Sequence, residues 1–521
     1  MIAQTYTLAH HGAQPHPITI ETDVFAGLPG ITIVGLPSKA IEESRERIRS
    51  AIRNSGLEFP PRKVTINLAP ADVAKTGINC DLALAMGILV ATKQLPALSK
   101  DICFMAELAL DGSLRPTHES IASVLSASRA GFRTIVIDPH TQLDIPKIDN
   151  LEILRPANLR ELYLHFLDEK TLMAWHGSVD KLAYAGMISS KSNPLAHIRG
   201  QVMAKRALQI AAAGNHNILM IGPPGVGKTL LAHSLPSLMP TATLEETKEI
   251  YYIHSLAGVK PPMPFGARPF RAPHHNASEH ALIGGGSRPR PGEISLAHRG
   301  VLFLDELPEF SRSSLETLRQ PLENREVTIA RAAMTASYPA NTLLIAAMNP
   351  CPCGYTGSNS RPCSCTIQRI QSYQKRISGP LLDRFDIIVY LEAENDVINT
   401  SLADSPIDPR EQISTARTRQ ATRYRETAYL HNSDIRFDDI DRFIGLEDSA
   451  IQLLALAQSN LGLTQRAVQR IQRVARTIAD LEDSNIIKRS HLAEALQYKR
   501  TDIDNSHGYK VDNTQAAATV A

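Results

Sequence analysis

The chain has 521 residues, 43% hydrophobic and 21% charged, an ordinary globular balance that excludes a disordered, fibrous or coiled-coil chain. At about 150 residues per domain it holds three or four domains, and large cores need no disulfide staples. Fifty-five basic against 53 acidic residues leave a net charge of +2, so any nucleic-acid site must be a local basic patch.

Residues 1–165 alternate strand-like and helix-like runs and read as an α/β domain. ITIVGL (31–36), KVTINL (63–68) and TIVID (134–138) are predicted strands, and 40–56 is a predicted amphipathic helix ending at Gly56. The longest apolar run, 82–91, is far shorter than the roughly 20 residues of a membrane span and reads as a buried helix. The first Lys or Arg is Lys39, so no basic leader is expected, and the predicted location is cytoplasmic with no membrane partner. Residues 166–193, which include the single tryptophan, Trp175, read as a linker. The chemistry lies in 194–395, a polar helix-rich block follows at 396–505, and 506–521 reads as a disordered tail.

The segment GPPGVGKT, comprising Gly222, Pro223, Pro224, Gly225, Val226, Gly227, Lys228 and Thr229, fits G-x-x-x-x-G-K-[ST] between an apolar strand and a helix-forming run. Its glycines let backbone N–H groups face phosphate oxygens at a helix N-terminus. Lys228 is expected at the β- and γ-phosphates of ATP and Thr229 on Mg²⁺. In the strand GVLFLDE (300–306), Asp305 would complete the Mg²⁺ shell and Glu306 would polarise the attacking water. The strand 341–350 ends in Asn349, which can orient that water; taken alone, it also reads as a turn before Pro350.

Arg384, in GPLLDRFDIIVYL, and Arg466, opening the helix over 463–482, complete the set. An arginine aimed at the γ-phosphate from a neighbouring subunit stabilises transition-state charge. Arg470, Arg473 and Arg476 share a helix face with Arg466 and read as a solvated basic stripe. Cys80 and Cys103 lie in apolar surroundings and read as core residues. Cys351, Cys353, Cys363 and Cys365 lie within fifteen residues as C-x-C-x₉-C-x-C. Four thiolates can close a tetrahedral structural zinc site; reduced, unligated thiols are the alternative.

These motifs together are similar to those of AAA+ ATPases. The text between them is more specific: FRAPHHNASEHALIGGGSRPRPGEISLAHRGVLFLDELPEF (270–310), AAMNPCPCG (346–354), VGLP (34–37), INLAPAD (66–72) and RVARTIADL (473–481) resemble the ComM/YifB family of magnesium-chelatase-like ATPases over nearly the whole chain. The resemblance implies a multidomain α/β protein. It would have a Lon-protease-like N-terminal domain, an AAA+ P-loop core with a parallel sheet, and a helical C-terminal lid, assembled as a homo-hexameric ring. It assigns Asp305 and Glu306 to the Walker B pair, Asn349 to sensor one, Arg384 to a finger acting on the neighbouring subunit and Arg466 to sensor two; Arg369 and Arg376 compete for the finger role. It further implies a DNA helicase driving branch migration during recombination and natural transformation, on single-stranded and branched DNA, with recombination proteins as partners.

Three readings of the substrate follow from the residues. For a DNA motor, 265–300 supply Arg268, Arg271, Arg288, Arg290 and Arg299 with His274, His275, His280, His298 and three consecutive glycines. The DNA-contact candidates among them are Arg271, His274, His275, Arg288 and Arg290. Residues 326–339 alternate like a hairpin with Arg331, a further candidate, near its tip. Structural loops at a subunit interface are the plainer reading of both segments. For a protease, Asn79 stands at the approximate serine place of KTGINCD (75–81) and no lysine lies between Lys100 and Lys147, so the N-terminal domain reads as a scaffold. The third reading is a magnesium-chelatase motor subunit, against which the extra N-terminal domain and the cysteine cluster argue; an ATP-dependent remodeller acting on a protein partner is a further alternative.

Overall fold

A computed structural model describes residues 2–71, 80–117, 120–143, 145, 148–175, 177, 195–262, 264–286, 289–331, 334–357, 361–392 and 408–499. The predicted serine-place residue Asn79, Arg288, part of the predicted linker and the C-terminal tail fall outside these residues.

The N-terminal domain is a mixed seven-stranded sheet. Its strands are β1 (Ala3–His11), β2 (Gln14–Phe25), β3 (Gly30–Val34), β4 (Lys63–Ala69), β5 (Ile102–Met105), β8 (Thr134–Ile137) and β9 (Glu152–Leu154), in the order β3-β4-β2-β1-β5-β8-β9. A small ladder joins β6 (Glu107–Leu108) to β7 (Leu114–Arg115). Its helices are α1 (Lys39–Asn54), α2 (Asp81–Ala91), α3 (Ser120–Arg129) and α4 (Leu159–Phe166). The sequence of α2 is apolar on every side, and all of Asp81–Val90 is buried, as a helix without a polar face requires. The predicted 31–36, 63–68 and 134–138 strands and the 40–56 helix are all present within two residues of their expected ends.

The interval read as a linker begins inside ordered structure. Leu167 and Leu172 pack on the first domain's core, and the Trp175 backbone N–H donates to Ile153 O at 2.9 Å, extending the sheet edge beyond β9.

The central domain is a parallel sheet of β10 (Ile218–Ile221), β11 (Phe270–Arg271), β14 (Val301–Leu304), β17 (Leu343–Met348) and β18 (Ile387–Tyr390), in the order β11-β14-β17-β10-β18. Its strands β10, β14, β17 and β18 are nearly continuous apolar runs, as expected where helices cover both faces. Helices α5 (Val202–Gly214), α6 (Lys228–Leu238) and α7 (Leu244–Ala257) are joined by the shorter α8 (Glu279–Ile283), α9 (Glu293–Leu296), α10 (Arg312–Thr317), α11 (Arg319–Asn324), α12 (Ile367–Gln374) and α13 (Gly379–Leu382). Two hairpins interrupt the sheet: β12 (Gly284–Gly285) with β13 (Arg290–Pro291), and β15 (Glu326–Arg331) with β16 (Met334–Pro339).

The C-terminal region is helical: α14 (Pro409–Arg423), α15 (Ile440–Phe443), α16 (Asp448–Leu461), α17 (Gln465–Leu481) and α18 (Arg489–Gln497). Its core is continuous with the central domain through α5. The N-terminal domain meets the central one where α3 lies on α7, with the Ala122 N–H donating to Ser255 Oγ at 3.1 Å, and where Ala13 N donates to Ser337 O of β16 at 3.0 Å. Among the described residues no helix is long and apolar enough to cross a membrane.

Candidate nucleotide site and basic hairpins

Strand β10, buried at all four positions, delivers the glycine-rich loop to the C-terminal edge of the parallel sheet. Gly225 and Gly227 have φ +84° and +90°, which only glycine adopts freely, and a Cβ at either would meet nothing within 4 Å. The loop is therefore an open cradle of backbone at the start of α6. Lys228 Nζ donates to Gly222 O at 2.6 Å, Pro223 O at 2.8 Å and Asn349 Oδ1 at 3.0 Å. Burial pushes its ammonium down to about 8, against the pull of the Asp305 and Glu306 charges. Thr229 Oγ1 donates to Asp305 Oδ2 at 3.0 Å. An ammonium, an open N–H cradle, a hydroxyl and a carboxylate thus meet at one place, a donor set that fits a magnesium triphosphate.

Glu306 follows directly. Its backbone is left-handed at φ +51°, and its N–H donates to Asp305 Oδ1 at 2.9 Å. Its Oε2 lies 3.3 Å from His275 Nδ1, and His274 stacks on His275 with ring centroids 4.0 Å apart. Sequence reasoning placed His275 among DNA contacts; here it faces the candidate water-activating carboxylate. The signal is sheet register. Phe270 pairs with Val301 and Arg271 with Leu302, and the same offset of 31 carries His275 to Glu306.

Arg384 precedes β18 and lies at the N-terminal edge of the sheet, opposite the glycine-rich loop, because Ile387 is in register with Ile218. Asn217 Nδ2 donates to its carbonyl at 2.9 Å, and its guanidinium pairs with Glu323. Arg466 is exposed on the first turn of α17, with no hydrogen bond or ion pair among the described residues. Arg376 pairs with Glu309 at 2.9 Å, just after Glu306 in the chain.

The expected solvated stripe on α17 is a correction. Arg470 donates to the carbonyls of Asp383 and Phe385 at 3.2 and 3.3 Å, and Arg473 to Ser433 O at 2.8 Å. Arg476 is 1% exposed and reaches Asp480 at 3.1 Å. Asp480, fully buried, also takes Arg423, and Asn432 Nδ2 donates to it at 2.9 Å. These side chains turn inward because carbonyls of the central domain and acids and carbonyls of the C-terminal helical region meet them there.

The basic segment 265–300 needs a similar correction. Arg271 forms a two-pronged ion pair with Glu293 at 2.6 and 2.7 Å, which removes it from the candidate DNA contacts. Arg268 is buried against Glu246, Pro240 O and Arg299 O, and Arg299 and His298 both hold Glu249, at 2.8 and 3.1 Å. His274 and Arg290 are exposed. The predicted 326–339 hairpin is present, and Arg331 is the last residue of β15, in register with Met334 across the turn. The two hairpins touch: Tyr338 Oη donates to Pro289 O at 2.5 Å.

Cys80 and Cys103 are buried in the N-terminal core, where burial pushes both thiols far up and leaves them inert. The other four cysteines converge: their sulfurs all lie within 4.8 Å of one another, a set compatible with a structural zinc ion.

Comparison with known proteins agrees with this architecture. Family models match in three consecutive pieces: "Subunit ChlI of Mg-chelatase" over residues 20–141, "Magnesium chelatase, subunit ChlI" over 194–398, and "Magnesium chelatase, subunit ChlI C-terminal" over 405–499. The competence protein ComM of Haemophilus influenzae is 42% identical over 507 residues, covering 96% of this chain and 97% of that protein. The uncharacterized protein YifB of Escherichia coli is 41% identical over 504 residues, covering 95% and 97%. The chain belongs to the ComM/YifB family. A more distant similarity, 26% over 219 residues, links 40% of the chain to 25% of the DNA replication licensing factor Mcm6 of Drosophila melanogaster. In this ComM/YifB chain the N-terminal domain itself matches a chelatase-subunit description, so its presence does not argue against a chelatase-like role.

Proposed function

We propose that the chain is an ATP-driven DNA motor that works as a homo-hexameric ring and moves branch points in recombination intermediates. The observation that carries this reading is the convergence of Lys228, Thr229, Asp305, Glu306 and Asn349 at one sheet edge, in a chain whose two arginine-bearing hairpin segments touch each other. The family's ComM member is named for competence, and the partial likeness to a replication licensing factor points the same way.

In this reading Lys228 and the backbone N–H groups of 225–229 hold the triphosphate, and Thr229 and Asp305 hold Mg²⁺, which supplies neutralising charge when bound. Glu306 accepts the proton of the attacking water, and His275 sets the direction of that carboxylate. Asn349, hydrogen-bonded to Lys228, would orient the water. Arg466 faces its own chain's nucleotide. Arg384, at the far edge of the sheet, exchanges Glu323 for the nucleotide of a neighbouring subunit. Arg290, His274 and Arg331 contact the DNA backbone in the ring's channel. Cytoplasmic location and recombination partners accompany this reading.

The test is strand exchange on a labelled four-way DNA junction with the purified chain, ATP and Mg²⁺. ATP-dependent resolution by the native chain and none by Glu306→Gln is the expected result; equal resolution without ATP would refute the motor. A second reading, a motor acting on a protein partner in the manner of a chelatase subunit, is favoured by the three family descriptions. It predicts junctions left unchanged despite ATP turnover.

A further inference from the structure

The cysteine loop is in contact with the phosphate loop. It leaves β17 through Asn349 and Pro350, and Gln374 of α12 donates to Pro350 O at 3.0 Å. Gly354, at φ +87°, lies against the phosphate loop so closely that a Cβ there would stand 2.7 Å from Pro224 Cδ and 3.9 Å from Asn349 Cγ. The turn that places it is closed by Gly354 N–H donating to Cys351 O at 2.9 Å.

The sulfur geometry is that of a metal tetrahedron. Cys351, Cys353 and Cys363 have Sγ separations of 3.3, 3.5 and 3.7 Å. Four sulfurs about 2.3 Å from one zinc ion stand about 3.8 Å apart, whereas a disulfide closes to about 2.05 Å. The sulfurs also receive the donors that thiolates attract. Thr356 N–H points at Cys351 Sγ and Cys365 N–H at Cys363 Sγ, each at 3.4 Å, and Thr356 Oγ1 lies 3.0 Å from Cys363 Sγ.

We infer that the four cysteines bind one zinc ion, and that the bound metal holds Gly354 against Pro224 so that zinc occupancy sets the shape of the phosphate loop and its affinity for nucleotide. Zinc binding forms four Zn–S bonds and releases the thiol protons to solvent, with no change of oxidation state. The coupling rests on the ATP reading above; the metal site does not. Because coupling between two sites is reciprocal, nucleotide must tighten zinc by the same factor that zinc tightens nucleotide.

The experiment uses the full-length chain under reducing conditions. Zinc content is measured, the metal is stripped with a chelator, and Zn²⁺ or Co²⁺ is restored. A fluorescent non-hydrolysable ATP analogue is titrated into each form. The expected results are one metal per chain, a tetrahedral thiolate–cobalt spectrum, and nucleotide affinity weaker in the stripped form by roughly 5- to 150-fold, the ordinary span of site-to-site coupling. The analogue should slow chelator removal of zinc. Gly354→Ala, which keeps all four ligands, should retain the cobalt spectrum and lose nucleotide affinity; Cys363→Ser should lose both. Absence of metal binding, or equal nucleotide affinity in stripped and loaded chains, would overturn the inference. Nucleotide binding to neither form would instead overturn the ATP reading, and the coupling with it, while the cobalt spectrum would still decide the metal.

Discussion

On α17, Arg470, Arg473 and Arg476 all turn inward, onto carbonyls and the buried Asp480. In the 268–299 segment, Arg268, Arg271 and Arg299 are held by Glu246, Glu293 and Glu249, while Arg290 stands exposed. The two regions are both arginine-rich and have opposite expected roles, one a solvated face and the other a nucleic-acid surface. In both, the deciding partner is an acid or carbonyl brought in by the fold. Charge density alone therefore does not identify a phosphate-binding surface; what matters is which cations the fold leaves unsatisfied.

The largest effect that follows is on the C-terminal helical region. Asp480→Ala removes the buried carboxylate that Arg423 and Arg476 share and should cost about 3–5 kcal/mol. Thermal unfolding measures it; an unchanged melting temperature would break the inward half of the comparison. Arg466 sharpens the same contrast within one helix, because it is exposed where Arg470 and Arg473 are part-buried and Arg476 is buried. Arg466→Ala should leave the melting temperature alone and lower ATP turnover. In the second region, Arg290→Ala should reduce the salt dependence of DNA binding by a slope of about 1, whereas Arg271→Ala should lower stability and leave that slope intact. Reversal of those two outcomes would reverse the assignment of the two arginines.

The smallest effect is pH-dependent. Burial acts to raise Glu249, but the hydrogen bonds from His298 and Arg299 outweigh it and hold the carboxyl down at about 2. A depressed carboxylate contributes stability that is complete above its unfolded value near 4.3 and is lost as pH falls towards 2. Glu249→Gln should therefore lower the melting temperature at neutral pH and flatten its fall between about pH 5 and about pH 3.

Much of the fold was legible because its signals are local. The glycine-rich loop sits between an apolar strand and a helix, the LFLDE strand ends in its two acids, and 326–339 alternates with period two. Each needs only neighbouring residues to form. What was hidden depends on contacts across the chain. Glu293 lies 22 residues from Arg271, Gly354 meets Pro224 across the sheet edge, and Trp175 returns to Ile153 from inside the supposed linker. His275 was half-legible: the strand offset that sets it opposite Glu306 could be drawn only once β11 and β14 were known to be neighbours in parallel.

An assembled nucleotide site that drives movement on DNA must couple ATP turnover to DNA. Its most direct test is the ATPase rate of the purified chain with and without single-stranded and branched DNA, with Glu306→Gln as the blank. Strong stimulation by DNA in the native chain and none in the variant is the expected result. Intact basal turnover that no DNA changes would contradict it and favour a protein partner.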